Sequence, residues 1–512
     1  MKAFDVIIVG SGIGGLSLAL KLTRKNPNIQ IALLTKTNAL ESNTRYAQGG
    51  IAAVLNTISD SFESHINDTL ASGGNYCKPD VVEMVVKNAP KEIYELINWG
   101  VQFDKAGHGE LDAALEGGHE HPRVVHCKDQ TGFEVVATLL EQVRTNKNIS
   151  LITDLLVTDI LLDDERNAKG VWVYNENTQQ LETITACYTI LATGGCGQLF
   201  KNTTNPKPAT GDGYAMAKRA GAQLQHMNFM QFHPTSLYTK TDKHTSFLIS
   251  EALRGYGAYV VDENGKRFLF DDDIRGELAT RDIVSNAINK HLTKTNTNCV
   301  YLDVRHLPSD ELEIHFPAIT QKLVSLGYRL DVDLIPIIPS AHYQSGGVKV
   351  DVNGQTNIIN LYALGEVACT GLHGKNRLAS NSLLEALVFA DQICNHMLNR
   401  QQNITQKETT PYRCKQPVIV DYAWVKPKIK TIKKWMSKCF ISQDKLTIDA
   451  GSTYMKLVKQ LTQSILENNM FSVELMQLHN MATTAEIMLH DLLTYQSLNQ
   501  TNNTAQPHHK VL

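Results

Sequence analysis

Gly10-Ser11-Gly12-Ile13-Gly14-Gly15 follows the apolar run FDVIIV (4–9) and opens the helical LSLALKLTRK. Glycines at this spacing allow a tight turn and close backbone approach, and a helix start offers free N–H groups to a pyrophosphate. A strand before and a helix after are the context that gives G-x-G-x-x-G its meaning. The second apolar run, IQIALLTK, should then close on an acidic residue that holds a ribose. It closes on Thr35-Lys36 instead, which disfavours ordinary NAD binding. A second stretch, ALEGGHEHPRVVH (114–126), sets Glu116 before two glycines and then His119, His121 and His126. It could be a metal site, a catalytic carboxylate or a polar loop. His-x-His can place two imidazoles on one strand face, but a metal needs a third or fourth ligand. No partner cluster is evident, so no metal is expected.

These groups need elements to hold them. Apolar runs at 4–9, 29–36, 186–195 and 358–367 read as buried strands alternating with helical segments, the pattern of an α/β fold. Between 231 and 341 the pattern is mixed and rich in His, Arg, Asp and aromatics, which suggests an inserted domain. After about 420 come the basic amphipathic VKPKIKTIKKWMSKCF and further helical patterns to about 493, then a polar tail. At 512 residues, two or three domains are expected, and 42% apolar with 20% charged residues is a globular composition. A net charge of −3 gives no reason to expect nucleic acid or an anionic membrane as partner. No apolar run is long enough to span a bilayer, and the first runs into a glycine turn rather than a cleavage site. Nine scattered cysteines without C-x-x-C fit reduced thiols, hence a cytoplasmic protein. No repeat of 20 to 50 residues is visible.

TILATGG (189–195), an apolar strand closing in Ala-Thr-Gly-Gly as in many two-dinucleotide flavoproteins, turns the cofactor expectation to FAD. Four further sets of residues carry a family resemblance: NTRYAQGGIAAV (43–54); QFHPTSLY (231–238) with SEALRGYGAYV (250–260); LATRDIVSNAI (278–288); and AHYQSGGVKVD (341–351) with GLHGKNRLASNSLLEA (371–386). Together they resemble the flavoprotein-subunit family of succinate dehydrogenase and fumarate reductase, and most closely its aspartate oxidases. The likeness runs from residue 4 to about 395 and fades beyond about 420, where the family's C-terminal arginine-glycine signature is not recognisable.

The resemblance implies a Rossmann-like α/β FAD-binding domain in two pieces, 1–230 and 342–415, with an inserted α+β capping domain at 231–341. A C-terminal helical domain at 416–495 and a disordered tail at 496–512 complete the expectation. FAD contacts carry over to Gly10, Ser11, Gly12, Ile13, Gly14 and Gly15 in the turn and to Lys36. They extend to the loop Asn43, Thr44, Arg45, Tyr46, Ala47, Gln48, Gly49 and Gly50, then to Asp212, Glu366, Ser382 and Leu383. Glu366, at a strand end, suits ribitol hydroxyls. Ser382-Leu383-Leu384-Glu385 reads as a capping box, so a helix would start there with its positive end toward the isoalloxazine. The family's respiratory members attach FAD through a histidine whose place is held here by Asn43. Asparagine cannot form that bond, so the flavin should be non-covalent.

The same resemblance assigns His233, Ser250, Arg281, His342 and Arg377 to the substrate, and it suggests proton transfer for Arg281. A four-carbon diacid suits them: guanidinium forks match two carboxylates, and imidazoles and a hydroxyl supply further donors. Ser250 stands where aspartate oxidases commonly have threonine. A guanidinium hardly ever deprotonates, so a carboxylate clamp is the safer role for Arg281. Glu116 would face the amino group of aspartate, which succinate lacks, and stabilise the positive charge that persists there as the imine forms.

The activity implied is oxidation of L-aspartate to iminoaspartate, with reoxidation by O2 or fumarate, the latter giving succinate. Quinolinate synthase, in NAD biosynthesis, would be the functional partner. Two rivals stand beside it: a soluble fumarate reductase, which would not need Glu116, and an electron-relay subunit docking on an iron–sulfur protein.

Overall fold

The computed structural model describes residues 4–107, 109–175, 180–239, 245–400, 421–468 and 470–504. Phe4–Val9 pairs in parallel with Ile31–Leu34 on one side and with Gln180–Leu191 on the other. Ile149–Ile152 extends the first edge, and Leu361–Ala363 also joins Gln180–Leu191, both in parallel. Ala168–Asn175 and Leu156–Leu162 add an antiparallel hairpin, giving one seven-stranded sheet. Val6, Ile7, Ile8 and Ile31–Leu34 are buried throughout, as a parallel sheet covered on both faces requires.

The turn after the first strand has a steric cause. Gly10 sits at φ +118°, and a Cβ there would collide with the carbonyl of Ala192 at the end of the neighbouring strand. Helix Ile13–Lys25 follows, with no acidic residue in its first turn and Arg24 and Lys25 in its last. Its positive end is thus left free for an anion.

Met230–Leu237, Ile335–Gln344, Val300–Asp303 and Tyr259–Val261 form a second sheet, antiparallel in that order. Its own apolar cluster runs from Leu237 to Ile337 and includes Val284 and Ile288 of helix Arg281–Thr295. The sheet stays tied to the first, because Met230 and Ala341 belong to the larger core. Helices Tyr422–Ser442, Lys445–Glu467 and Val473–Thr504 follow, and their Ile432, Met455 and Met488 join that same larger core. Among the described residues, no helix is long and apolar enough to cross a membrane.

The polar tail departs from expectation. Disorder was expected from 496, but the last helix continues to Thr504; residues 505–512 lie outside the described residues, as do 401–415 of the second FAD-domain piece. An existing helix adds one hydrogen bond per residue without a new nucleus, so polar composition alone does not end it.

Candidate active site

One elongated cavity runs from the Gly10–Gly14 turn past the 41–50 loop to the second sheet. Of the residues expected to hold FAD, Gly10–Gly14, Lys36, Asn43, Thr44, Tyr46–Gly50, Asp212, Glu366, Ser382 and Leu383 all border it. Gly15 and Arg45 do not. Gly15 is where the helix packs on the turn, since a Cβ there would strike the Gly10 carbonyl. Arg45 turns away, donating to Glu41 at 3.4 Å and stacking 6.0 Å from the Phe133 ring. A loop that lines a cavity still alternates its side chains in and out.

The residues present fit FAD. The helix start is free of acidic side chains, and three buried polar atoms on the wall, Asn43 Oδ1, Gln48 Oε1 and Thr193 Oγ1, have no hydrogen-bond partner among the described residues. Glu366 accepts from Asn43 Nδ2 at 2.5 Å and from the Gln344 amide at 3.0 Å. Burial pushes its carboxyl up to about 7. Such a group gains from extra hydroxyl donors.

Ser382 is not the helix cap. The helix runs Asn381–Asn399, and Ser380 precedes it in the left-handed region at φ +59°. The serine–glutamate pattern was overruled by tertiary partners. Arg377 donates to the Ser382 hydroxyl, while Glu385 accepts from Tyr343 at 3.0 Å and from Thr370 at 2.5 Å and meets His373 Nε2 at 3.0 Å. Neither side chain is left to close a box.

At the far end of the cavity Glu116, His233, Ser250, Arg281, His342 and Arg377 come together. His233 and His342 stand on adjacent antiparallel strands, their ring centroids 5.0 Å apart. The register shifts between Gln231 and Phe232 and between His233 and Ser236. Such bulges re-aim side chains. Burial, and then the charge of Arg281, holds both imidazoles well below 6.5, so they are neutral near neutrality. His342 Nδ1 meets the Thr204 hydroxyl at 2.8 Å. Ser250 caps the short helix Glu251–Gly255 by accepting from Ala252 N at 3.2 Å.

Arg281 opens its helix and donates through Nε to Glu251 at 2.6 Å. Arg377 lies over the Tyr343 ring at 4.4 Å, and burial lowers it to about 10, still a cation near neutrality. Glu116 is 3% exposed, and one of its oxygens accepts from the Ser380 hydroxyl at 2.6 Å. The other oxygen lies against Gly49, where a Cβ would come within 2.5 Å of it. Burial first, and then the neighbouring Glu251, raise the Glu116 carboxyl above its ordinary range.

The histidines after Glu116 serve the scaffold. His119 Nε2 meets the Ala379 carbonyl at 3.0 Å and its Nδ1 meets Arg123 at 3.1 Å, while His126 Nδ1 meets the Val124 carbonyl at 3.0 Å. Half-exposed His121 is 4.0 Å from Glu120.

Sequence reasoning missed the residues that act through others. Glu251 is fully enclosed between Arg281 and Arg254, 2.6 and 2.7 Å away, and its carboxyl stays below the ordinary range because these charges outweigh burial. Gln231 Oε1 accepts from both Arg281 (3.2 Å) and Arg377 (3.4 Å). Ser380 fixes Glu116, and Thr204 fixes His342. Gln231 and Glu251 stood inside the quoted motifs, two residues from His233 and beside Ser250, and that nearness was the available signal. Arg281 and Arg377 line this end of the cavity with Glu116 and Glu251, two guanidiniums against two carboxylates, while Arg254 sits behind Glu251.

The FAD binding domain family matches residues 5–383. The L-aspartate oxidase of Vibrio cholerae is 38% identical over 502 residues, 95% of this chain and 92% of that protein. That of Yersinia pestis is 44% identical over 406 residues, 77% of this chain and 75% of that protein. Among solved structures, a mutant FrdA of E. coli quinol fumarate reductase superposes with a TM-score of 0.79 at 30% identity, covering 96% of this chain and 88% of that one. Mycobacterium smegmatis Sdh1 gives 0.74 at 25% identity, covering 96% and 86%.

Proposed function

Because the chain belongs to the L-aspartate oxidase family of FAD-binding flavoproteins, we propose that it oxidises L-aspartate to iminoaspartate. Held by the Gly10–Gly14 turn, Lys36, Asn43, Asp212 and Glu366, FAD would supply the acceptor for the hydride leaving the substrate Cα, with O2 (giving hydrogen peroxide) or fumarate and a proton (giving succinate) as the final acceptor.

The chain's own residues bind and orient. Arg281 and Arg377 clamp the two carboxylates, and His233, His342 and Ser250 supply neutral donors around them. Arg281 is the binding clamp and not a base, since a guanidinium hardly ever deprotonates in a protein and its Nε is engaged by Glu251. Glu116 faces the amino group; the ammonium gives up one proton to solvent before the hydride leaves, and the carboxylate stabilises the positive charge that returns to nitrogen as the C=N bond forms. Gln231, by accepting from both arginines, sets the spacing of the clamp. Neutral histidines add no cation to compete with the ammonium.

The observation that carries this reading is Glu116, a buried carboxylate at the same cavity end as the two arginines. A dicarboxylate alone has no use for it. The imine hydrolyses in water, so it needs prompt consumption; quinolinate synthase, leading to NAD, is the partner we assign. We place the reaction in the cytoplasm.

The test is product analysis in air. Aspartate should yield hydrogen peroxide with equal amounts of oxaloacetate and ammonia from the hydrolysed imine. Peroxide from succinate and none from aspartate would overturn the reading.

A further inference from the structure

The strand-end position of Lys36, where a dinucleotide fold holds its ribose, marks one end of the cavity. Asp212 lies there too, at the first turn of helix Asp212–Ala220. Its Oδ2 accepts from Lys36 and, at 3.0 Å, from Thr210. Its Oδ1 accepts from Asn480 Nδ2 at 2.9 Å. A carboxylate has about four acceptor positions, so one remains for a ligand hydroxyl.

Asn480 belongs to the C-terminal helix Val473–Thr504 and is 0% exposed. Its own carbonyl accepts from Arg219 at 2.8 Å, and Arg219 is held in turn by Asp159 at 2.6 Å and the Thr158 carbonyl at 2.8 Å. The amide gives to a carboxylate at one end and receives from a guanidinium at the other, which a carboxylate in its place could not do. One helical turn on, Thr484 donates to the carbonyl of Gly211 at 3.0 Å, so the same helix also holds the backbone just before Asp212. Asp212, Asn480 and Thr484 are buried, while Arg219 and Asp159 reach toward the surface.

We propose that Asn480, seconded by Thr484, is the positioning residue that aims Asp212 at the FAD cavity, so that the C-terminal helix sets how tightly flavin is retained. The inference rests on the assignment of Asp212 to the FAD site. It does not depend on which substrate is oxidised.

Asn480→Asp tests it with almost no change of shape. The introduced carboxyl keeps, and strengthens, the bond from Arg219 but can no longer donate to Asp212. Holoenzyme is diluted stepwise and released FAD is read by its fluorescence. At about pH 8 the dissociation constant should rise about 10- to 150-fold, the range for a hydrogen bond to a charged group. Thr484→Val, also isosteric, should raise it about 2- to 10-fold. The groups facing the introduced carboxyl are Asp212, Lys36, Arg219 and Asp159. At lower pH a proton shared with Asp212 restores the donor, so flavin retention should recover relative to wild type. Packing damage gives no such recovery. The KM for aspartate at excess FAD should stay within about twofold, because the substrate end is untouched.

Wild-type retention in Asn480→Asp overturns the proposal, and so does an equal rise in the aspartate KM. Asp212→Ala separates premise from inference. If that variant holds FAD normally, the assignment of Asp212 fails and the proposal falls with it. If it loses FAD while Asn480→Asp does not, the positioning role alone is refuted.

Discussion

Replacing Glu116 by glutamine changes charge at nearly constant volume. The amide can still accept from Ser380 and fits against Gly49, so the wall of the cavity should stand. What goes is the negative charge facing the substrate ammonium. A hydrogen bond to a charged group contributes about 1.5–3 kcal/mol, so kcat/KM for aspartate should fall about 10- to 150-fold. Fumarate has no ammonium, and the variant site would be more positive by one charge. Its reduction should therefore stay within about threefold of wild type or improve. The assay is stopped-flow under anaerobic conditions: flavin bleaching by aspartate in one direction, reoxidation of dithionite-reduced protein by fumarate in the other. An equal loss in both directions would refute the selectivity role and make Glu116 a structural residue.

Other expectations follow from the same geometry. Arg281→Leu should cut turnover by at least about 100-fold with flavin still bound, read by activity and by the absorbance of the purified protein; loss of flavin would contradict the clamp role. The kcat/KM for aspartate should fall as pH drops through the raised Glu116 carboxyl, at higher pH than an ordinary glutamate near 4.5, because only the ionised form meets the ammonium. Glu116→Gln should lack that limb. Since His233 and His342 titrate well below 6.5, no histidine limb should appear near that value. Glu251→Gln strips two buried guanidiniums of their partner and should destabilise the fold by about 3–5 kcal/mol, seen as a lower thermal midpoint of the holoenzyme.

The Rossmann turn was legible because Gly10 answers to a local constraint: no side chain fits beside Ala192. Glu116, Arg281 and Arg377 were legible because whole motifs stood in order along the chain. Glu251, Gln231 and Ser380 were not picked out, since each is defined by its partner. Ser380 and Glu116 are 264 residues apart, and no local pattern couples them. Ser382 shows the converse error. Its spacing to Glu385 is right for a capping box, but Arg377, Tyr343, Thr370 and His373 engage both side chains. Arg45 was assigned by loop membership, although its neighbour Glu41 decides where it points. The last helix was cut short at 496 because composition, unlike packing of its buried Met488 and Leu489, gives no measure of how far a helix propagates. Asn480 carried no motif at all, and only the fold brings it to Asp212, 268 residues away.

The most direct test of the account mixes oxygen-free protein with L-aspartate or with succinate and records the flavin absorbance. The account predicts rapid bleaching by aspartate and little or none by succinate, since a substrate without an ammonium group leaves Glu116 facing the site unopposed. Bleaching by succinate at an equal or greater rate, with aspartate inert, would contradict it.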